Sequence, residues 1–172
     1  MNKIICLLLA ACLVFALAAC GVAQQANPWR EITRAEAGEL CGGALAPPEG
    51  AENEQWSVLD SAADASGTPG PLVQLCFELD GNRFTAREQL TGDPDADISG
   101  MYYDWIDRRD ESLKNWGELP CRSFRWIGEK EYADLCAWYD ADSGISYSLS
   151  VTAGDLDGFD LLAVAEALRG EG

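Results

Sequence analysis

The chain has 172 residues, carries no His, and sets 12 Lys and Arg against 29 Asp and Glu, for a formal net charge of −17. This length fits one globular domain, and a hydrophobic fraction of 48% is sufficient to bury a core. The lack of His excludes Ser-His-Asp and Cys-His nucleophile systems and His-dependent zinc catalysis, and so acidic a chain is a poor match for nucleic acid. We therefore expect neither an enzyme nor a nucleic-acid-binding protein, and we expect no cofactor.

Residues 1–19 have the pattern of a signal peptide. Lys3 precedes an apolar run over residues 4–16, which is too short for a membrane-spanning helix, and the segment ends in Leu17-Ala18-Ala19-Cys20. This ending resembles the lipobox of bacterial lipoproteins, in which the cysteine thiol receives diacylglycerol with acyl chains such as palmitate and the chain is cut before it. The resemblance implies that Cys20 is the lipidated N-terminus; the alternative is a plain secretory signal that leaves Cys20 as a spare thiol.

The rest of the chain divides into a short tether and one domain. Residues 20–27 show no apolar periodicity and are predicted to be a lipidated tether that spans about 15 Å if flexible. Residues 28–172 are predicted to form a single α+β domain. Two acyl chains anchor a protein without a basic patch, so the predicted location is the extracytoplasmic face of the cell membrane.

Local signals predict the elements of the first half of the domain. Thr33-Arg34-Ala35-Glu36 is a capping box for a helix over residues 33–41, which buries Ala37, Leu40 and Cys41. A strand is expected near residues 55–60 and a loop of small residues over 62–70. Residues 72–79 alternate, Asp80-Gly81 is a turn, and residues 83–87 alternate again, which predicts a β-hairpin.

The second half contains more strands and a final helix. We predict an acidic loop over residues 92–100, a strand over 101–106, a helical turn or loop over 107–117, and strands over 121–127 and 133–139. Residues 145–152 alternate apolar side chains with Ser and Thr, which predicts one dry and one wet face. Asp157 is expected to cap a helix that buries Leu161, Val164, Ala165 and Leu168. The predicted fold is a mostly antiparallel, curved sheet with an N-terminal and a C-terminal helix.

The C-terminal part carries a second resemblance. Ala137-Trp138-Tyr139-Asp140, then Tyr147-Ser148-Leu149-Ser150, then the final helix are similar to the end of an uncharacterised domain of Gram-positive extracytoplasmic lipoproteins and anti-sigma-factor-like proteins. This resemblance implies a succession of strand, hairpin, strand and helix, and it implies no activity. Some domains of this kind look like half-barrel carriers of an acyl chain, which is an analogy of fold alone.

Acidic residues at alternate positions raise the question of a calcium site. Side-chain oxygens are present at several positions where a calcium-binding loop has its ligands: Asp93, Asp95, Asp97, Ser99 and Asp104. However, Ile98 lies at the position where such a loop needs Gly for its sharp turn. The expected state is a solvated acidic loop without a structural metal.

Four cysteines remain in the predicted domain, at positions 41, 76, 121 and 136. Outside the cytoplasm they permit two disulfides, and as buried free thiols they act as small hydrophobes, so the sequence leaves both states open. If a bridge forms, Cys121 and Cys136 are favoured because they fall on adjacent predicted strands, about two positions out of register.

The predicted function is that of a lipid-anchored extracytoplasmic lipoprotein with a non-enzymatic binding or sensing domain. Its partners are the membrane, through the anchor, and an unknown envelope protein or apolar ligand. Trp126 and Trp138 fall in predicted strands as packing residues, whereas the predicted interaction surface combines exposed aromatic residues around residues 107–111, namely Tyr102, Tyr103, Trp105 and Trp116. Two alternatives remain: a carrier or sensor of a lipid-like ligand in a groove between sheet and helix, and a carboxylate-dependent envelope hydrolase.

Overall fold

The computed structural model describes residues 27–42, 44–63 and 69–170. Within them the elements are β1 (Arg30–Ile32), α1 (Arg34–Cys41), β2 (Glu52–Ala63), β3 (Pro69–Leu79), β4 (Asn82–Leu90), β5 (Asp107–Leu113), β6 (Leu119–Ile127), β7 (Tyr132–Asp140), β8 (Ile145–Ala153) and α2 (Leu161–Ala167), with a 3₁₀ turn at Lys114–Trp116. The predicted signal peptide, Cys20 and nearly all of the predicted tether lie outside the described residues. The fold is α+β and consists mostly of antiparallel sheet.

The eight described strands form one open antiparallel sheet in the order β1-β2-β3-β4-β8-β7-β6-β5. Strands β2–β4 and β5–β8 each run as a meander of antiparallel neighbours, and β1 pairs with β2 although α1 lies between them in the chain. The two meanders meet where β4 pairs with β8, in the register Phe84↔Val151 to Leu90↔Ile145. This long-range pairing makes β4 and β8 the centre of the molecule, with β1 and β5 at the edges.

Two local predictions are confirmed in detail. The Thr33 side chain accepts a hydrogen bond from the Glu36 backbone N–H while the Glu36 carboxylate accepts one from Thr33, which is the complete capping box of α1. The β3–β4 hairpin turns at Asp80 and Gly81, which have φ values of 51° and 78°. Two successive positive φ values define the two-residue turn that matches the twist of the paired strands.

Both helices pack on one face of the sheet, which we call the helix face. Its core unites α1 through Ala37 and Cys41 with α2 through Val164, Ala165 and Leu168. The strands contribute large side chains that are at most 2% exposed, among them Phe77, Phe84, Leu75, Tyr147 and Leu149. The predicted apolar stripe of α2 is confirmed, but Leu40 of α1 is 38% exposed, so its predicted burial was wrong.

The opposite face, which we call the loop face, is crossed by the long connection of residues 91–106 between β4 and β5. The prediction of a wet face on β8 was wrong, because Ser146, Ser148 and Ser150 are only 3%, 2% and 8% exposed. The Ser146 hydroxyl lies 2.7 Å from that of Thr91 and donates to the carbonyl of Asp93, both in the crossing segment. A small second core of Ala62, Leu72 and Ile98, with Trp29 and Leu59 packed against it, lies on this face.

Three further predictions are corrected. Residues 101–106 form no strand, whereas residues 107–113 do, as the edge strand β5. Charged side chains protect an edge strand from pairing with another chain, and they also hide the alternation that identifies a strand. The cap of α2 is Asp160, whose carboxylate accepts from the Ala163 backbone N–H, and not Asp157.

Candidate functional site

The crossing segment of residues 91–106 is held to the loop face by Arg87 of β4. One guanidinium nitrogen donates to the backbone carbonyls of Ile98 and Ser99, at 3.2 and 2.6 Å, and another donates to the Gln74 side chain at 2.9 Å. The same guanidinium lies 5.3 Å from the centre of the Trp29 ring, a cation–π distance. Arg87 therefore fixes the middle of this segment to the sheet.

Gly100 permits this close approach. Its φ is +66°, and a Cβ atom there would lie 2.5 Å from a guanidinium nitrogen of Arg87. Any other residue would combine backbone strain with a steric clash. The segment then continues to Ile106, whose backbone N–H donates to the Arg125 carbonyl on β6 at 2.9 Å.

The end of the crossing segment builds a cluster of aromatic rings with β6. Tyr103 packs on Trp126 with ring centres 4.6 Å apart, and it contacts Trp105 edge to face at 5.5 Å. Trp105 in turn lies 5.6 Å from Phe124. Phe124 and Trp126 are two residues apart on β6, so both point to the loop face. We call this surface, together with the adjacent Tyr102, the aromatic patch.

The aromatic patch is open to solvent. Tyr102 is 90% exposed and the neighbouring Ile106 is 64% exposed, while the other four rings are half-buried. The Arg108 guanidinium lies 5.7 Å from the centre of the Phe124 ring. The exposed Asp104 lies between Tyr103 and Trp105 in sequence. Large rings that already pack against each other lose little conformational entropy on binding, which suits them to anchor a partner.

The structure brings together three of the four residues of the predicted interaction surface. Tyr102, Tyr103 and Trp105 belong to the aromatic patch, but Trp116 lies in the core on the opposite face and is 5% exposed. Its indole N–H donates to the Ala165 carbonyl at 2.9 Å, and its ring contacts Trp138 and Tyr147. The expectation that Trp116 is exposed was wrong because the 3₁₀ turn directs it under α2.

The acidic segment at residues 93–99 organises its own backbone. The Asp93 carboxylate accepts from the Asp95 backbone N–H at 2.9 Å, and that of Asp97 accepts from the backbone and hydroxyl of Ser99 at 2.9 and 2.7 Å. Asp95 lies 3.3 Å from Arg122. In the described part of the chain no group of three or more Cys, Asp or Glu side chains is arranged to hold a metal ion.

The helix face contains a fully buried carboxyl group, that of Glu88. Glu88 of β4 is 0% exposed, and neither of its carboxyl oxygens has a hydrogen-bond partner among the described residues. Burial raises its pKa to about 7, although the nearby backbone N–H of Leu45 opposes the rise. Burial also raises the pKa of the Cys41 thiol to about 12, and the nearby Glu88 charge adds to that rise. Glu88 is therefore uncharged over much of the acidic range.

Cys121 and Cys136 form the second buried pair on the helix face. Cys121 lies opposite Trp138 and Cys136 opposite Ser123, so the two thiols are diagonal neighbours, two positions out of register as predicted. Both are free in the structure, as are Cys41 and Cys76, so it contains no Cys121–Cys136 bridge. A side-chain hydrogen bond between the two thiols lowers the pKa of Cys121 and raises the pKa of Cys136. The pKa values move apart because Cys136 keeps its proton and donates it in a hydrogen bond to the Cys121 thiolate.

A charged cleft of about 260 Å³ lies between β5, β6, β7 and the residues that lead into α2. Arg125 makes a two-pronged ion pair with the buried Asp134, at 2.8 and 2.6 Å, and Arg109 donates to Asp107 at 3.0 and 2.6 Å. Both arginines of the cleft are therefore neutralised by carboxylates of the chain itself. The Arg125–Asp134 pair links β6 to β7, whereas the Arg109–Asp107 pair lies within β5, and neither arginine is left free to bind an anionic ligand.

The sequence analysis did not identify the buried Glu88, nor did it place Phe124 and Trp126 in the aromatic patch. The signal for Glu88 was available, because Phe84, Ala86 and Glu88 alternate on one face and a glutamate at the third position continues the apolar row. The signal for Trp126 and Phe124 was their common face on one strand. Nothing in the sequence indicated that Tyr103 and Trp105 would pack against that face.

Comparison of the chain with protein-family models, with curated proteins and with solved structures finds no match. No helix in the described residues is long and apolar enough to cross a membrane.

Proposed function

We propose that this protein is a lipid-anchored extracytoplasmic lipoprotein whose domain binds an envelope protein, without catalysis, through the aromatic patch. The observation that carries the proposal is the open cluster of Tyr102, Tyr103, Trp105, Phe124 and Trp126, with Tyr102 90% exposed. Tyr and Trp are enriched in protein interfaces because each supplies a large contact area at low entropic cost.

The anchor part of the proposal is supported by the sequence Leu17-Ala18-Ala19-Cys20 and by the short distance from Cys20 to the first strand at Arg30. A short tether keeps the aromatic patch close to the bilayer, at high effective concentration relative to other envelope proteins. Under these conditions a small patch is sufficient for a useful interaction.

The two alternatives have less support. Large side chains of the protein occupy the space between the helices and the central strands, among them Phe77, Phe84 and Leu149, at most 1% exposed. A lipid-like ligand between sheet and helices would have to displace this core. A hydrolase would need an accessible carboxyl group with a raised pKa as its general acid. Among the described residues the carboxyl group with a strongly raised pKa is that of Glu88, which is 0% exposed and therefore cannot contact a substrate.

The anchor is tested by membrane fractionation and intact-mass measurement of the wild type and of Cys20→Ala. We expect the wild type in the membrane fraction with the added mass of diacylglycerol, and the variant without that mass and released from the membrane. A Cys20→Ala protein that keeps the lipid mass would contradict the anchor.

The binding surface is tested by site-specific photo-crosslinking in intact cells. A crosslinking residue at Ile106, which is 64% exposed beside the patch, is expected to capture one discrete partner, and Trp105→Ala is expected to abolish the product. The matched control places the crosslinker at Leu90, which is 61% exposed and outside the patch. Equal products at both positions, or a product that survives Trp105→Ala, would refute the aromatic patch as the binding surface.

A further inference from the structure

Residues 44–46, in the connection between α1 and β2, lie over the helix face, and we call them the strap. Leu45 of the strap is 2% exposed and belongs to the core of that face. The Ala46 backbone N–H donates to the Leu168 carbonyl at 2.7 Å, and the Gly170 backbone N–H donates to the Ala44 carbonyl at 2.9 Å. The strap is therefore held in place by a short antiparallel contact with the residues that follow α2.

The strap lies against the buried carboxyl group of Glu88. Glu88 is 0% exposed, and neither of its carboxyl oxygens has a hydrogen-bond partner among the described residues. Burial raises the pKa of Glu88 to about 7, and the Leu45 backbone N–H is close enough to oppose this rise. The proximity of this N–H identifies the strap as a backbone segment that covers the carboxyl group.

The titratable neighbours of Glu88 cannot supply a positive charge. Among the described residues, those that face it are Cys41 of α1 and Tyr147 of β8, which is its direct partner in the sheet. Both side chains are neutral when protonated, and burial raises the pKa of each, that of Cys41 to about 12. The Cys41 thiol already contacts the backbone carbonyls of Pro71 and Glu88, at 3.9 and 3.7 Å. On β3 the partner of Glu88 is the apolar Val73.

The charged side chains of the two helices and of Arg169 lie away from Glu88. Those of α1 are exposed to solvent, namely Arg34, Glu36 and Glu39. Glu166 and Arg169, at the end of α2, both contact the 3₁₀ turn at Lys114–Trp116. An ionised Glu88 would therefore be a buried charge without compensation, which is costly in a folded protein.

The strap is the weakest part of the structure around Glu88. β4 pairs with β3 from Asn82 to Glu88 and with β8 from Phe84 to Leu90, so the sheet is fixed on both sides of the carboxyl group. The capping box and two buried side chains hold α1. The strap has only its short contact with residues 168–170 and the burial of Leu45 and Ala46. Water can therefore reach Glu88 at the least cost by displacement of the strap.

We propose that the strap is a pH-sensitive lid, which opens when Glu88 loses its proton and admits water to the carboxylate. Opening breaks the hydrogen bonds of Ala46 and Gly170 and leaves α1 and the sheet in place. The pKa of Glu88 is about 7 under the closed strap and returns to its ordinary value of 4.5 in water. The open population therefore rises between these values and levels off above pH 7, by about 70-fold in all from pH 5 to pH 8.

The lid is tested by amide hydrogen exchange of the purified full chain, followed by NMR from pH 5 to pH 8 and corrected for the intrinsic exchange rate. We expect the protection of the Ala46 and Gly170 amides to fall about 70-fold over this range. The fall should end at the pH at which the ¹³C shift of the Glu88 carboxyl group titrates. Amides between β4 and β8 are expected to be better protected at every pH, because they exchange only when the whole protein unfolds.

Two variants separate the Glu88 charge from other effects of pH. Glu88→Gln cannot ionise, and we expect it to make the protection of the Ala46 and Gly170 amides independent of pH. The matched control Glu49→Gln removes an exposed carboxylate three residues beyond the strap and is expected to keep the full pH dependence. If Glu88→Gln does not fold, the ¹³C titration of Glu88 in the wild type still decides whether the strap follows this group.

Four outcomes would overturn the lid. These are protection of the strap amides that is independent of pH in the wild type, a fall that persists in Glu88→Gln, a plateau at a pH that differs from the Glu88 titration, and strap amides as well protected as those between β4 and β8. The last result would mean that the strap opens only with the whole protein. Trp105→Ala in the aromatic patch is expected to leave the exchange of the strap unchanged, so the lid can fail without affecting the proposed protein interface.

Discussion

Arg87 and Glu88 are adjacent in β4 and point to opposite faces of the sheet, and their surroundings differ completely. Arg87 has hydrogen-bond acceptors on the crossing segment and on β3, and it contacts an aromatic ring. Glu88 is buried in an apolar core, and neither of its carboxyl oxygens has a hydrogen-bond partner among the described residues. The helix face therefore depends on hydrophobic burial and tolerates one uncharged carboxyl group, whereas the loop face depends on hydrogen bonds that fix an irregular segment.

The largest expected difference between the faces appears when a side chain is truncated. Phe84→Ala on the helix face removes a ring that is 0% exposed and stacks on Phe77 at 5.1 Å, and we expect it to lower the free energy of unfolding by about 3 to 5 kcal/mol. The matched variant Thr85→Ala, one residue further and on the loop face, is expected to cost about 1 kcal/mol or less. Denaturant titration measures both, and similar losses would break the distinction between the faces.

The second prediction concerns the pH dependence that Glu88 confers on the helix face. Its pKa is about 7 in the folded protein and 4.5 ordinarily, so the folded state holds a proton that the unfolded state has released between those values. Protonation of Glu88 therefore contributes to the free energy of unfolding, and this contribution is fully present below pH 4.5. About 3 kcal/mol of it is lost as the pH rises through 7.

Glu88→Gln, which stays neutral, is expected to remove this loss. The difference in unfolding free energy between variant and wild type should therefore grow in favour of the variant by about 3 kcal/mol from acidic to mildly alkaline pH. Denaturant titrations across that range measure it. The other carboxyl groups are common to both chains and cancel in the difference, and a difference independent of pH would show that Glu88 is charged or solvated in the folded state.

The third prediction tests how the loop face is held together. Arg87→Met keeps the aliphatic stem but leaves the Ile98 and Ser99 carbonyls without their donor, and we expect a loss of about 1 to 3 kcal/mol. Hydrogen exchange should accelerate in residues 91–106 and remain unchanged in α1 and α2. Arg83→Met, an exposed arginine of the same strand, serves as the control. Uniform acceleration across the chain would instead mean that the crossing segment is part of the global folding unit.

The smallest expected effect is a difference in thiol reactivity between the faces. Cys76 is half-buried on the loop face, whereas Cys41, Cys121 and Cys136 are buried on the helix face. Native-state alkylation followed by peptide mapping is expected to label Cys76 first, with the other three thiols protected until the protein unfolds. A Cys121–Cys136 disulfide that forms during aerobic purification would leave two fewer reactive thiols under denaturant. That result would contradict the assignment of Cys121 and Cys136 as free thiols.

Much of the local structure was predictable because its signals are carried by neighbouring residues. The capping box at Thr33 and Glu36, the Asp80-Gly81 turn and the stripe of Leu161, Val164, Ala165 and Leu168 each specify an element without any distant contact. Three residues of the aromatic patch, Tyr102, Tyr103 and Trp105, were grouped from their clustering in sequence. Their contacts with Phe124 and Trp126 were not predicted, because those contacts join segments about 20 residues apart.

The α+β class, the two helices, the β3–β4 hairpin and the strands of the C-terminal half follow from local patterns, since periodicity and turn residues are properties of neighbouring residues. Local patterns do not specify that β4 pairs with β8, that residues 91–106 contact Ser146 of β8, or that Trp116 lies in the core. These features arise from long-range packing, because burial depends on which distant segment covers a side chain. Ser146 and Trp116 look exposed in sequence, and each is buried because another part of the chain lies over it.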